Sequence, residues 1–356
     1  MTTEEKVQEH LNILRGLHSE GGLFYAAAPG VTTGYDKAWL RDNFYTSLGF
    51  EASGDMEIVK KVWRAILDLF LKHEDKINWA IEHKPHATWQ YIHARYNPET
   101  FEEYWEEWGN KQNDAVGAIL FKLADLETRG INVLENDNDK RVVQKLVEYL
   151  NRIEYWNDVD NGVWEEYEEV HISSVGAVVA GLKKLSQLPF IQIPEGMIEK
   201  GEATLEKLLP RESITKFADL ALLSLSYPYQ VISRDMENII LQNIEYHLVK
   251  DRGVIRYKTD RYYNNNKVDE WSEEAEWTMG FPWLAIIYAR RGDVEKAKMY
   301  LEKTEKVLTP DQKLPELYFS NTDKPNENIP LAWAESLYIV ALLEIEKRAH
   351  SENSSN

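Results

Sequence analysis

The spacing of apolar residues constrains this chain more than any other feature. It follows the 3.6-residue period of an α-helix almost throughout, and the strict alternation of a half-buried strand is scarce. The pattern predicts twelve helices, over 3–19, 37–53, 55–73, 113–129, 138–154, 171–186, 196–209, 213–226, 235–249, 274–291, 293–308 and 330–348. Gly130 and Gly292-Asp293 stand where helix ends are expected, and Pro330 suits a first turn. The even-numbered helices are the more apolar, as in AVGAILFKLADL and FPWLAIIYA. The odd-numbered ones, such as MEIVKKVWRAILDLFLKHED, carry one apolar stripe and one charged face. A helix apolar nearly all round is a buried one, and a striped helix covers it. Six buried helices alternating with six covering helices predict an all-α fold, an (α/α)6 toroid or six-hairpin ring. No Pro/Gly/Ser-rich linker divides the chain, so residues 1–348 read as a single domain, and the polar tail 349–356 is expected to be disordered.

Charge narrows the partners. The chain has 41 Lys+Arg and 60 Asp+Glu, a net charge of −19, which repels phosphate backbones and anionic lipid. Nucleic acid and membrane surfaces are therefore poor partners, whereas a neutral polar substrate is indifferent to that field. There is no cysteine, which excludes disulfides, thiolate nucleophiles and Cys-ligated zinc. The opening MTTEEKVQEHLNIL has no signal-peptide core, and no apolar run reaches the roughly 18–20 residues of a membrane span. A cytoplasmic protein is expected.

Four long non-helical stretches, 74–112, 155–170, 250–273 and 309–329, each precede an inner helix. Loops longer than about 12–15 residues are usually functional in a compact domain. These carry Trp89, Trp105, Trp108, Trp156, Trp164 and Trp271, which predicts an aromatic-rimmed cleft of the kind that stacks sugar rings. Five short segments lie at inner-helix starts, which a toroid gathers at one end: YDKAWLRDN (35–43), WGNKQND (108–114), VWEE (163–166), RYKTDRYYN (256–264), and LPELYF with PLAW (314–319, 330–333). Each has an ordinary reading. Arg41 and Asp42 could be a local ion pair, Gln112-Asn113-Asp114 a helix cap, Glu316 a loop carboxylate, and Arg256 a partner for Asp260. The glutamates of VWEEYEE could simply face water.

Together, and in this order over about residues 21–345, the five segments resemble the glucoamylases of glycoside hydrolase family 15. The resemblance implies that Glu165, directly after Trp164, is the general acid and that Glu316 is the base. Glu166 would bind the leaving sugar, and Tyr35 would help hold the attacking water. Arg41 and Asp42 would grip the terminal sugar, and Arg256 would work around its reducing side with Asp260 orienting it. Trp39, Trp108 and Trp333 would line the pocket, with Asp114 of the WGNKQND segment among the binding residues. Glu165 would keep its proton because Glu166 is its neighbour and Trp164 lowers the local polarity. Glu168 and Glu169 have no counterpart and read as solvated. Thr259 and Asn110-Lys111 depart from the fungal pattern, which leaves the preference for the second sugar open.

No metal or cofactor is expected. The stretch 157–168 mimics an EF-hand loop, but Val159 occupies a ligand position, and the nine histidines show no paired ligand spacing. The expected activity is that of an inverting exo-acting α-glucosidase releasing β-D-glucose from non-reducing ends of α-glucans or malto-oligosaccharides. Isomaltose and trehalose hydrolases of the same family share these motifs. Catalytically silent family toroids act as carbohydrate-binding or regulatory subunits, as in phosphorylase kinase, and such a chain is expected to lack one of the two carboxylates.

Overall fold

The computed structural model describes residues 1–106, 108–264 and 273–353. Among them are the α-helices α1 (Thr3–Arg15), α2 (Leu40–Ser53), α3 (Met56–Lys72), α4 (Glu74–His83), α5 (Asn113–Thr128) and α6 (Asp137–Ile153). They continue with α7 (Ile172–Leu185), α8 (Met197–Leu208), α9 (Arg234–His247), α10 (Gly280–Arg291), α11 (Val294–Lys306) and α12 (Ala332–Asn353). Two antiparallel ladders of two residues a strand complete the regular structure: β1 (Ala38–Trp39) with β2 (Arg95–Tyr96), and β3 (Glu276–Trp277) with β4 (Leu317–Tyr318).

The apolar pattern explains the architecture. An inner ring runs from α2 to α5, α7, a 3₁₀ segment (Leu220–Leu225), α10 and α12, and α12 packs back on α2 to close it. Every residue from Leu40 to Phe50 of α2 and from Gly280 to Ala289 of α10 is buried. The striped helices lie outside: α1 on α12, α3 on α2, α6 on α5, α8 on α7, α9 on the 3₁₀ segment and α11 on α10. The expected toroid and its alternation are what the structure shows. Where α5 meets α7, a Cβ on Gly117 would stand 2.5 Å from the Val178 amide nitrogen, so glycine permits the close approach. Tyr45 stacks on Trp333 (4.2 Å between rings), and Trp283, Phe121 and Tyr229 continue an aromatic fill inside the ring. No described helix is long and apolar enough to cross a membrane.

Several boundaries differ from expectation for local reasons. The helix expected over 213–226 is only the 3₁₀ segment, because the Asp219 carboxylate accepts from the Ala221 amide (2.8 Å) and Ser213 accepts from the Lys216 amide (3.1 Å). These side chains compete with helical hydrogen bonding. Helices expected to start at 37 and 274 start at Leu40 and Gly280, since Ala38–Trp39 and Glu276–Trp277 pair as strands. The stretch 74–83, expected to be loop, is α4, which buries Ile77 and Ala80 and packs on α6. The last helix runs past 348 to Asn353, where a disordered tail was expected; residues 354–356 and Trp271 lie outside the described residues.

Candidate active site

The N-terminal ends of the inner elements and the loops before them meet around one cavity of about 270 Å³. α2 contributes Arg41 and Asp42 from its first turn, and α12 contributes Trp333 from its own. The loops supply Tyr35, Trp108, Trp164, Glu165, Arg256 and Glu316, and β1 supplies Trp39. At the lower end of the range for ligand clefts, such a volume suits a small polar ligand.

Glu316 is fully buried. Its Oε1 accepts from the Tyr35 hydroxyl (2.6 Å), and its Oε2 accepts from the side-chain amides of Asn326 (2.5 Å) and Asn328 (2.7 Å). Burial pushes its pKa above the ordinary carboxylate value, and these three donors pull it back. Glu165 keeps 20% of its side chain exposed, and its Oε1 accepts from Arg41 Nη2 (3.0 Å). Burial raises its pKa too, with the Arg41 charge opposing. The backbone of Glu165 has φ +64°, a left-handed conformation uncommon for any residue but glycine and often found at functional sites. Gly109 makes room for it, since a Cβ there would stand 2.7 Å from the Glu165 carbonyl oxygen.

Arg41 is fixed by three acceptors: Gln112 Oε1 at 2.7 Å, Glu165 at 3.0 Å and Asp114 at 3.5 Å. Asp42 lines the cavity 3.8 Å from Arg41. Burial pushes its carboxyl up to about 7, against Arg41 and with the charges of Glu165 and Glu316 adding. Asp114, buried behind Arg41, is pushed by burial to about 6. The Arg256 guanidinium is gripped by Asp260 through Nε (2.7 Å) and Nη2 (2.6 Å), and Nη2 also donates to Glu166 (2.8 Å).

Asp114 and Glu166, expected at the ligand itself, thus stand behind Arg41 and Arg256 and do not line the cavity, whereas Asp260 holds Arg256 as expected of a residue that orients it. Glu166 is turned to Arg256, Tyr257 and Lys216, so the raised pKa of Glu165 follows from burial and not from its neighbour. Glu168 is exposed as expected, whereas Glu169 is half-buried and accepts from Ser213 (2.8 Å) and Thr215 (2.6 Å). Trp156 is buried under Lys200 instead of rimming the cleft. In the stretch resembling a calcium loop, Asp158 pairs with Lys111 (2.9 Å) and Asp160 with His171 (3.0 Å) and the Asn113 amide (2.9 Å). Those oxygens are already engaged.

Sequence reasoning missed the lining residues Thr33, Arg95, Val163, Tyr262, Trp277, Met279 and Leu331, and the two asparagines on Glu316. Placing a helix start at 274 hid Trp277 and Met279; a start at Gly280 puts both in the segment before an inner helix, where the other site residues lie. Asn326 and Asn328 fall in the loop just before Pro330 and carried only a turn signal.

Fold and cavity together define the class: a helical toroid whose inner-helix entrances surround a pocket of tryptophans, arginines and carboxyl groups. The chain belongs to the glycosyl hydrolases family 15, whose family model matches residues 3–351. Among curated proteins it is similar to the skeletal-muscle phosphorylase b kinase regulatory subunit alpha of Oryctolagus cuniculus, 26% identical over 383 residues. That match covers 88% of this chain and 31% of the subunit. A probable subunit of the same kind from Caenorhabditis elegans is 25% identical, with 87% and 30% covered. The chain therefore spans under a third of the length of these relatives. Among solved structures, a glycosidase variant in complex with glucose superposes with TM-score 0.82 at 18% identity, covering 97% of each chain. A bacterial glucoamylase complexed with acarbose superposes at 0.71 and 16%, covering 96% of this chain and 55% of that one. At these identities the likeness shows the fold alone.

Proposed function

We propose that this chain is an inverting, exo-acting α-glucosidase that releases β-D-glucose from non-reducing ends of α-glucans or malto-oligosaccharides. The observation that carries this reading is that two of the three carboxyl groups lining one small pocket, Glu316 and Glu165, have unlike surroundings. Glu316 is buried under three hydrogen-bond donors, which favour its ionised form, and Glu165 stands partly exposed. Inverting hydrolysis needs such a pair, an ionised base for water and a protonated acid for the leaving oxygen.

In this mechanism Glu316 takes a proton from a water that attacks the anomeric carbon, with the Tyr35 hydroxyl fixing the carboxylate. The glycosidic C–O bond breaks with its electron pair on the leaving oxygen, which takes the proton of Glu165. Arg41 and Asp42 hold hydroxyls of the terminal sugar. As sugar oxygens replace Glu165 on Arg41, the charge that opposes protonation of Glu165 is withdrawn and burial favours the acid form. Trp39, Trp108, Trp164 and Trp333 enclose the ring. Glu166 and Asp260 act through Arg256 on the reducing side, and Asp114 acts through Arg41. A cavity of about 270 Å³ accommodates the end of a chain rather than its middle, which supports exo action.

Incubation with maltose, maltotriose, isomaltose and trehalose, followed by glucose assay, tests the reading and its linkage. Glucose release from at least one, lost in Glu316→Gln and in Glu165→Gln, is expected. A second reading draws on the phosphorylase kinase relatives: a non-catalytic carbohydrate-binding or regulatory unit. Oligosaccharide binding with no glucose released by the wild-type chain would favour it.

A further inference from the structure

Trp164 immediately precedes Glu165 in the chain and lines the pocket. Its ring Nε1–H donates to Oδ1 of Asp219 (2.7 Å), a fully buried carboxylate that does not itself line the pocket. The same oxygen accepts from the Ala221 amide (2.8 Å) and so caps the 3₁₀ segment of the inner ring. Oδ2 has no hydrogen-bond partner among the described residues, and Lys216 Nζ stands 3.9 Å from it.

Capping is the ordinary explanation for such an aspartate, and two observations go past it. Serine or asparagine caps equally well without the cost of burying a charge. Trp277 and Trp333, the rings on which Trp164 packs (5.6 and 6.4 Å between centroids), have ring N–H groups that are buried without a partner among the described residues. Packing alone holds those two rings, whereas Trp164 is also tied. The tie reaches both sides of the pocket. Trp164 continues into the left-handed backbone of Glu165. The Leu220 amide, next to Asp219, donates to the Arg256 carbonyl (2.8 Å), and the Arg256 guanidinium carbon lies 5.4 Å from the Trp164 ring centroid. Asp219 is thus an anchor common to the turn of the candidate acid and to the Arg256 segment.

We propose that Asp219 is a positioning residue: by holding the Trp164 indole it holds the Trp164–Glu165 turn where the carboxyl of Glu165 can reach the glycosidic oxygen. This role rests on the acid function given to Glu165 above. A displacement of about 1 Å is enough to cost a reacting group much of its effect.

A misplaced acid harms substrates whose leaving oxygen must be protonated and spares one whose leaving group departs unaided. The test therefore compares, in the full chain, the disaccharide that the wild type hydrolyses with α-glucosyl fluoride, whose fluoride leaves without a proton. In Asp219→Ser the hydroxyl still caps Ala221 but, one bond nearer the backbone, falls short of the indole; Asp219→Asn keeps an oxygen for both. The ratio of kcat/KM for the fluoride to that for the disaccharide, measured on one preparation, is independent of how much of the protein is folded. Asp219→Ser should raise this ratio about tenfold, and Asp219→Asn should leave it within about twofold of the wild type. The loss on the disaccharide should fall on kcat, since a loosened grip on the second sugar would move KM instead. Trp164→Phe removes the donor, so adding Asp219→Ser to it should change the ratio little further. An unmoved ratio in Asp219→Ser, an equal rise in Asp219→Ser and Asp219→Asn, or a loss carried by KM alone overturns the proposal while leaving the activity in place. A wild-type chain that hydrolyses neither substrate overturns the proposed activity, and the role of Asp219 in it falls with it.

Discussion

Tyr35, Asn326 and Asn328 all donate to Glu316, and each bond favours the ionised form that a base requires. Asn328→Ala removes one donor, so the pKa of Glu316 should rise. The acidic limb of the pH profile of kcat/KM should then move to higher pH by about one unit, with the alkaline limb in place. An unmoved acidic limb would show that Glu316 is not the group titrating there. Arg41 bridges Gln112, Asp114 and Glu165 with a planar fork that an ammonium cannot reproduce. Arg41→Lys should lower kcat/KM by about 30–150-fold, with Tm within about 5 °C of the wild type. Full activity with a much lower Tm would make Arg41 structural. At this scale the residues within contiguous motifs were legible, because their types and order are distinctive. The asparagines on Glu316 were not, since an asparagine in a loop has the same local pattern whether it caps a turn or holds a carboxylate.

Glu165 sits on a turn with φ +64°, and Gly109 leaves room for it. In Gly109→Ala a methyl group would meet the Glu165 carbonyl at 2.7 Å. The turn must shift, costing about 1–3 kcal/mol and lowering kcat/KM at least about tenfold. Wild-type kinetics would show that the turn has slack. At the start of α7, burial lowers the pKa of His171, but Asp160 more than offsets this and the ring is pushed up to about 9. A folded pKa above the unfolded value of about 6.5 gives stability that is complete below 6.5 and fades as the pH rises through 9. His171→Gln should therefore cost up to about 3 kcal/mol at pH 6 and progressively less toward pH 9.5, as read by urea unfolding. Equal losses at both pH values would contradict the assignment. Element boundaries were the least legible part of the fold. Asp219, Ser213 and two-residue strand pairings with partners distant in sequence ended helices that periodicity alone would extend.

Over the whole molecule, the alternation of fully apolar and striped helices was enough to read the ring, because each buried helix requires a cover. What alternation does not encode is how the ring is fastened. His10 of α1 contacts the buried carboxylate of Glu335 in the first turn of α12, and Glu335 also accepts from the Leu314 amide (2.7 Å), two residues before Glu316. The first and last helices are thereby tied to the loop of the candidate base. His10→Ala leaves the buried Glu335 with the Leu314 amide alone and should cost about 1–3 kcal/mol in urea unfolding. A loss below about 1 kcal/mol would show that the contact is dispensable. The central claim, that Glu316 activates water across the sugar from Glu165, fixes the stereochemistry of the product. Proton NMR during turnover of an active substrate, recorded before mutarotation, tests it most directly. The account predicts that β-glucose appears first; initial release of α-glucose would mean retention and would contradict the role given to Glu316.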